Sequence, residues 1–159
     1  MTGAPDHVRQ TFASDPAYER VEESTFAVTT TRFDVIVAVE TDEALSVTVR
    51  APTLSAAVDG EVADVVEEGW LETFERRIAD LEIALEGTPD GDPSVAVEGE
   101  EVVVEIMLAD ADAGRCARDA RAAAEFVEGT YMEGVIPGYE YRDPVAGMRE
   151  RAMQNAEEQ

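Results

Sequence analysis

Lysine is absent from this chain: all 12 basic residues are arginine, and they stand against 36 aspartates and glutamates. Histidine and cysteine occur once each, as His7 and Cys116. A single cysteine excludes an internal disulfide, and one of each excludes the ligand sets of structural zinc sites and metallohydrolase centres. No apolar run approaches the roughly 18 residues of a membrane span. The first ten residues, "MTGAPDHVRQ", show neither the basic nor the apolar region of a secretory leader. GxGxxG, P-loop and GxSxG motifs are missing, so nothing signals a nucleotide cofactor or a hydrolase elbow, and the expected cofactor set is none.

What the chain has in excess is negative charge, with a net of -24. Disorder does not explain it, because 45% of residues are hydrophobic and they fall into regular patterns. Mimicry of nucleic acid would gather carboxylates on one face. Successive forty-residue blocks, the last one residue short, hold 7, 10, 11 and 8 of them, close to uniform. Adaptation to concentrated salt fits both facts. Molar salt shortens the Debye length to about 3 Å and screens carboxylate repulsion, and short carboxylates hold water where the long lysine stem exposes hydrocarbon. The composition predicts a salt-in halophile's protein, soluble and cytoplasmic. Scattered arginines make no positive stripe, so nucleic acid and anionic membrane are not expected partners.

The pattern of apolar residues predicts an α+β domain spanning 1–159. Val8 and Phe12, one turn apart, mark a short helix within residues 1–20, which Pro16 stops. From there the period is two: Phe26 and Val28, then Phe33 to Val39, then Leu45 to Ala51, a three-stranded meander over residues 24–52. Val62, Val66, Trp70, Phe74, Ile78, Leu81 and Leu85 then predict one amphipathic helix from near Glu61 to about Glu86. "GTPDGDPS" breaks it, and two strands around Val95 to Val97 and Val102 to Leu108 flank the tight turn "EGEE". Asp110 or Asp112 can cap a third helix with the stripe Ala113, Cys116, Ala117, Ala120, Ala124, Val127 and Tyr131. A small helix over 143–159 closes the chain. The order is α-β-β-β-α-β-β-α, a five-stranded antiparallel sheet with helices mainly on one face.

This element order resembles that of the type III secretion chaperone-like superfamily and its YbjN-type relatives, which implies an interaction domain, often dimeric. At the level of residues, "FAVTTTRFDVIVAVE", "SVTVRAPTL", "VVEEGWLETFERRI" and "EFVEGTYMEGVIPGYEYRDPV" resemble a small haloarchaeal family of uncharacterised proteins. That resemblance implies a host and a single-domain extent, and no activity.

Candidate chemistry is sparse. His7 lies in the first helix beside Asp6, and Cys116 lies on an apolar stripe, where cysteine behaves as a small hydrophobe. Arg115, Arg118 and Arg121 recur at helical spacing, with Asp119 and Glu125 placed to form i,i+4 pairs. In "GVIPGYEYRDPVAGM", Gly134 and Pro137 account for a helix stop, and Asp143 with Pro144 for the start of the next helix. Its tyrosines have no such explanation. In an extended segment Tyr139 and Tyr141 project to the same side, and with Arg142 they have the composition of a contact surface, unless they pack back onto the sheet or the long helix. The expected function is therefore a non-enzymatic interaction domain, chaperone-like or adaptor, that binds a protein partner or a second copy of itself. The rival is an enzyme or small-ligand binder that uses Arg32, Arg50 or Arg142 to hold an anionic group in a pocket between sheet and helices.

Overall fold

The computed structural model describes residues 6–40, 44–109 and 112–157. Helix α1 (Asp6–Ser14) leads into strands β1 (Tyr18–Glu22), β2 (Thr25–Val28), β3 (Asp34–Val39) and β4 (Ala44–Pro52). A single helical turn α2 (Leu54–Ala57), helix α3 (Asp64–Ile78) and a 3₁₀ helix (Leu81–Ala84) follow, then β5 (Ser94–Glu98), β6 (Glu101–Ala109), α4 (Ala113–Glu133) and α5 (Val145–Glu157). The strands form one antiparallel sheet of six in the order β1-β2-β3-β4-β6-β5.

The sheet has six strands rather than the expected five, and the additional one is β1. Of its five residues only Tyr18 is buried, so the alternation that announces the other strands is absent. Edge position explains the pattern, since only one end of this strand reaches the core. There Phe12 meets the Tyr18 ring edge-on at 4.7 Å, and the Tyr18 hydroxyl donates to the Ala117 carbonyl of α4. Burial pushes the pKa of that hydroxyl well up, so it stays a neutral donor.

At the centre β4 and β6 pair over nine positions, from Ala44 with Ala109 to Pro52 with Glu101. Val35, Val37, Leu45, Val47, Val49, Val104, Ile106 and Leu108 fill the inner face. Each such side chain, fully buried, contributes roughly 1.5–3 kcal/mol. Across this face lies α4, whose Ala117, Ala120, Ala123 and Ala124 are shielded from solvent and let the helix approach the strands closely. Val145 and Met148 of α5 close the same core. The β5–β6 hairpin turns through Gly99, whose φ of 62° suits the first loop position of a two-residue turn.

Where one long helix was expected to run to about Glu86, α3 ends at Ile78 and the stripe continues through the 3₁₀ helix, with Leu81 fully buried. No glycine or proline marks this break. Beyond the 3₁₀ helix the chain is tied to α4: the carboxylate of Asp119, only 5% exposed, accepts from the Glu86 and Gly87 amides at 2.8 and 2.9 Å. Its spacing suggested a pairing with Arg115, but both its oxygens face these amides, while Arg121 and Glu125 pair as expected at 2.9 Å. Arg118 covers the outside with a two-pronged contact to Glu86, at 2.6 and 3.2 Å, which lowers the Glu86 pKa. Asp119→Ala should strand two amides in a part-buried turn and cost about 2–4 kcal/mol. A urea melt reads the loss, and an unchanged midpoint would mean that the latch holds nothing.

Candidate functional site

The segment after α4 is more firmly anchored than its glycines and prolines suggest. Gly134 donates to the Tyr131 carbonyl at 3.0 Å with φ at -87°, so its left-handed freedom is unused. What it supplies is space, because a Cβ there would lie 3.1 Å from Nε1 of Trp70. Further on, Arg142 donates its amide to the Ala57 carbonyl at 2.7 Å, Asp59 donates to the Glu140 carbonyl at 2.7 Å, and Tyr141 bridges to Val58. The Tyr141 hydroxyl accepts from the Ile136 amide at 2.8 Å, and the Arg149 guanidinium lies 5.9 Å from its ring centroid. Asp143 accepts from the Gly147 amide at 3.1 Å and so caps α5.

Tyr139 and Tyr141 are both half-buried, and they wall one cleft of about 520 Å³ together with Arg149 and the exposed Met153. Glu140 and Glu150 line it as well, and both tyrosines also pack against the core. Arg142 is turned to Asp59 at 3.5 Å, outside that cleft.

Arg32 and Arg50 meet in a second cleft, of about 320 Å³, at the end of the sheet. The β3–β4 register brings this about by setting Asp34 opposite Arg50. Arg50 is engaged by Glu101 at 3.3 Å and Glu98 at 3.5 Å. Glu128 of α4 holds the Arg32 and Phe33 amides at 2.6 and 3.3 Å, which fixes the backbone and leaves the Arg32 guanidinium without an ion pair among the described residues. The lining also includes Asp34, Glu100, Glu101 and Asp143, so carboxylates outnumber the two guanidiniums. The field there is negative, which opposes an anionic ligand.

The outer face of the sheet carries no helix. Its residues follow from the register: Thr25 and Ala27 on β2, Ile36 and Ala38 on β3, Ser46 and Thr48 on β4, Val103 and Met107 on β6, Ala96 on β5. Charge is limited to Glu105 within this field, to Glu19 and Glu22 of β1 along one edge, and to the Asp34, Arg50, Glu98 and Glu101 group at one end. On a chain with 30% charged residues, that is an unusually charge-poor surface.

A third cavity, of about 350 Å³, opens between α3 and the last turn of α4. Its wall includes Trp70 and Phe74, stacked at 5.7 Å and 3°. Nothing in the sequence pointed to it beyond Gly69, a mid-helix glycine that helix propensity disfavours. Cys116 is buried on α4, and the side chain of His7 lies outside the described residues, as does Asp110. Asp112 is the cap of α4, accepting from the Arg115 amide at 2.9 Å.

Among the described residues, no three histidine, cysteine or carboxylate groups gather into a metal-binding cluster, and no helix is long and apolar enough to cross a membrane. Neither curated proteins nor solved structures give a match to this chain. A family model, by contrast, covers residues 13–151, which takes in every strand and the start of α5. The chain belongs to the family of unknown function DUF5813.

Proposed function

We propose that this chain is a cytosolic, salt-adapted interaction domain of haloarchaeal type, an adaptor rather than an enzyme, which self-associates through the outer face of its sheet. The observation that carries this reading is the charge-poor field centred on Ile36, Thr48 and Met107. With most of the 36 carboxylates spread over the rest of the molecule, this is where two copies can meet with the fewest like charges opposed. A nine-residue strand is about 30 Å long, and four strands side by side span about 19 Å. Because β2 and β3 are shorter than nine residues, the face offers at most about 570 Å² in projection per partner, below the about 800 Å² of a standard-size interface. Salt strengthens apolar burial as it screens the surrounding carboxylates, so association should increase with KCl.

Sedimentation equilibrium in 3 M KCl tests it. The wild type is expected to be a dimer at micromolar concentration, and Ile36→Glu, which sets two carboxylates at the centre of the interface, should be a monomer with an undiminished melting temperature. A wild type that stays monomeric at about 100 μM would reject the face as a self-association surface. The Tyr139 and Tyr141 cleft is the second contact we propose, supported by the exposed Met153 that lines it and by the Arg149 guanidinium over the Tyr141 ring. A dimer that survives Ile36→Glu but is lost on Met153→Glu would move the interface there.

A further inference from the structure

Two polar groups on deeply buried residues face the α3–α4 cavity with nothing to bind. Trp70 is 8% exposed and Thr130 5%, and both line this cavity. Neither the indole Nε1–H nor the Thr130 hydroxyl has a hydrogen-bond partner among the described residues, whereas Tyr131, the next residue, donates its hydroxyl to the Pro52 carbonyl at 2.9 Å. No fully buried side-chain nitrogen or oxygen lacks a partner in the described structure. The two groups must therefore keep contact with solvent, and the cavity they line is where they meet it. Gly134 brings the backbone up against Nε1, and Gly69 leaves the α3 side open, since a Cβ there would touch nothing within 4 Å.

The rest of the lining sets the ligand's chemistry. Val66, Phe74, Val135, Ile136 and Pro137 are apolar. The charged members, Arg77 and Glu133, lie 3.8 Å apart and neutralise each other. Unlike the Arg32 and Arg50 cleft, this cavity has no net charge to select or repel an ion. An aromatic wall, one fixed N–H donor and one hydroxyl suit a compact, uncharged molecule with an apolar or aromatic body and a carbonyl-type acceptor. We infer that the α3–α4 cavity is a binding site for a small uncharged carbonyl compound, held by the Trp70 indole N–H and the Thr130 hydroxyl beside the stacked Trp70–Phe74 pair.

Because the chain has a single tryptophan, its one indole N–H signal in a nitrogen–proton correlation spectrum reports on the site directly. The probes are acetophenone and ethylbenzene, of nearly equal shape but with and without the carbonyl, titrated into the full chain in 3 M KCl. Acetophenone is expected to shift the indole signal with a Kd of about 1 mM, as suits so small a ligand, and ethylbenzene to bind about fivefold more weakly or less. Thr130→Val should remove most of that difference while leaving ethylbenzene unchanged. Gly69→Leu, placed where helix propensity favours the change, should block both. An indole signal unmoved by acetophenone would overturn the site. Equal affinity for the two probes in the wild type would overturn the roles given to the N–H and the hydroxyl.

Discussion

Trp70→Ala is expected to cost about 3–5 kcal/mol. The indole stacks on Phe74 and meets Tyr131 edge-on at 5.4 Å, so it joins α3 to α4 through aromatic contacts as well as buried area. Tyr131 in turn meets Phe33 at 4.8 Å, which carries the cluster to the start of β3. Removing the ring leaves a void that the helices cannot close without sliding. Since the void would merge with the neighbouring cavity, water can enter it, and the loss should fall at the lower end of that range. Chemical denaturation measures it, and the fluorescence of the wild type should be blue-shifted and shielded from iodide. A loss under about 1 kcal/mol would make the indole a surface cover rather than a joint.

Salt should have the second large effect: the melting temperature is expected to rise by about 10 °C or more between 0.1 M and 3 M KCl, as the Debye length falls from about 10 Å to about 2 Å. Two electrostatic effects oppose each other. Repulsion among the carboxylates, with a net charge of -24, is screened, which stabilises the compact state. Ion pairs such as Arg9 with Glu23 and Arg121 with Glu125 are screened as well, which destabilises it. Exposed pairs contribute little individually, and they are few beside the unpaired carboxylates, so the first effect decides the sign. Melts by circular dichroism at matched pH give the answer. Equal stability at the two salt concentrations would remove the adaptation to salt from the account of this composition.

The parts of the fold that a periodic signal encodes were legible in the residues. Strands β2, β3, β4 and β6 alternate because one of their faces is buried, and the α4 stripe repeats because one side of that helix meets the sheet. What had no periodic signal escaped. Strand β1 buries one residue at its end, and the turn at Glu86 and Gly87 is held by Asp119, 33 residues away from Glu86 in sequence. Among site residues, Tyr139 and Tyr141 line one cleft with Glu140 and also pack against the core. The meeting of Arg32 with Arg50 depends on strand register, and the four carboxylates that oppose an anion there come from three separate segments. The α3–α4 cavity was hidden for a different reason: glycines at 69 and 134 read as a poor helix residue and a helix stop, when their common property is that they leave room beside an indole.

The strand order also governs how the chain is made. Pro52 of β4 finds its partner in Glu101, so about fifty residues must emerge after β4 before the middle of the sheet can close. At ~5–20 residues per second that is several seconds of synthesis. During that interval β4 offers its whole hydrogen-bonding edge, beside a face of Leu45, Val47 and Val49, to any other strand in reach. The nascent meander is most exposed at what becomes the best-protected line of the finished molecule, and the β5–β6 hairpin ends the hazard by arriving last, with β6 inserted against β4 and the short β5 left as the new border.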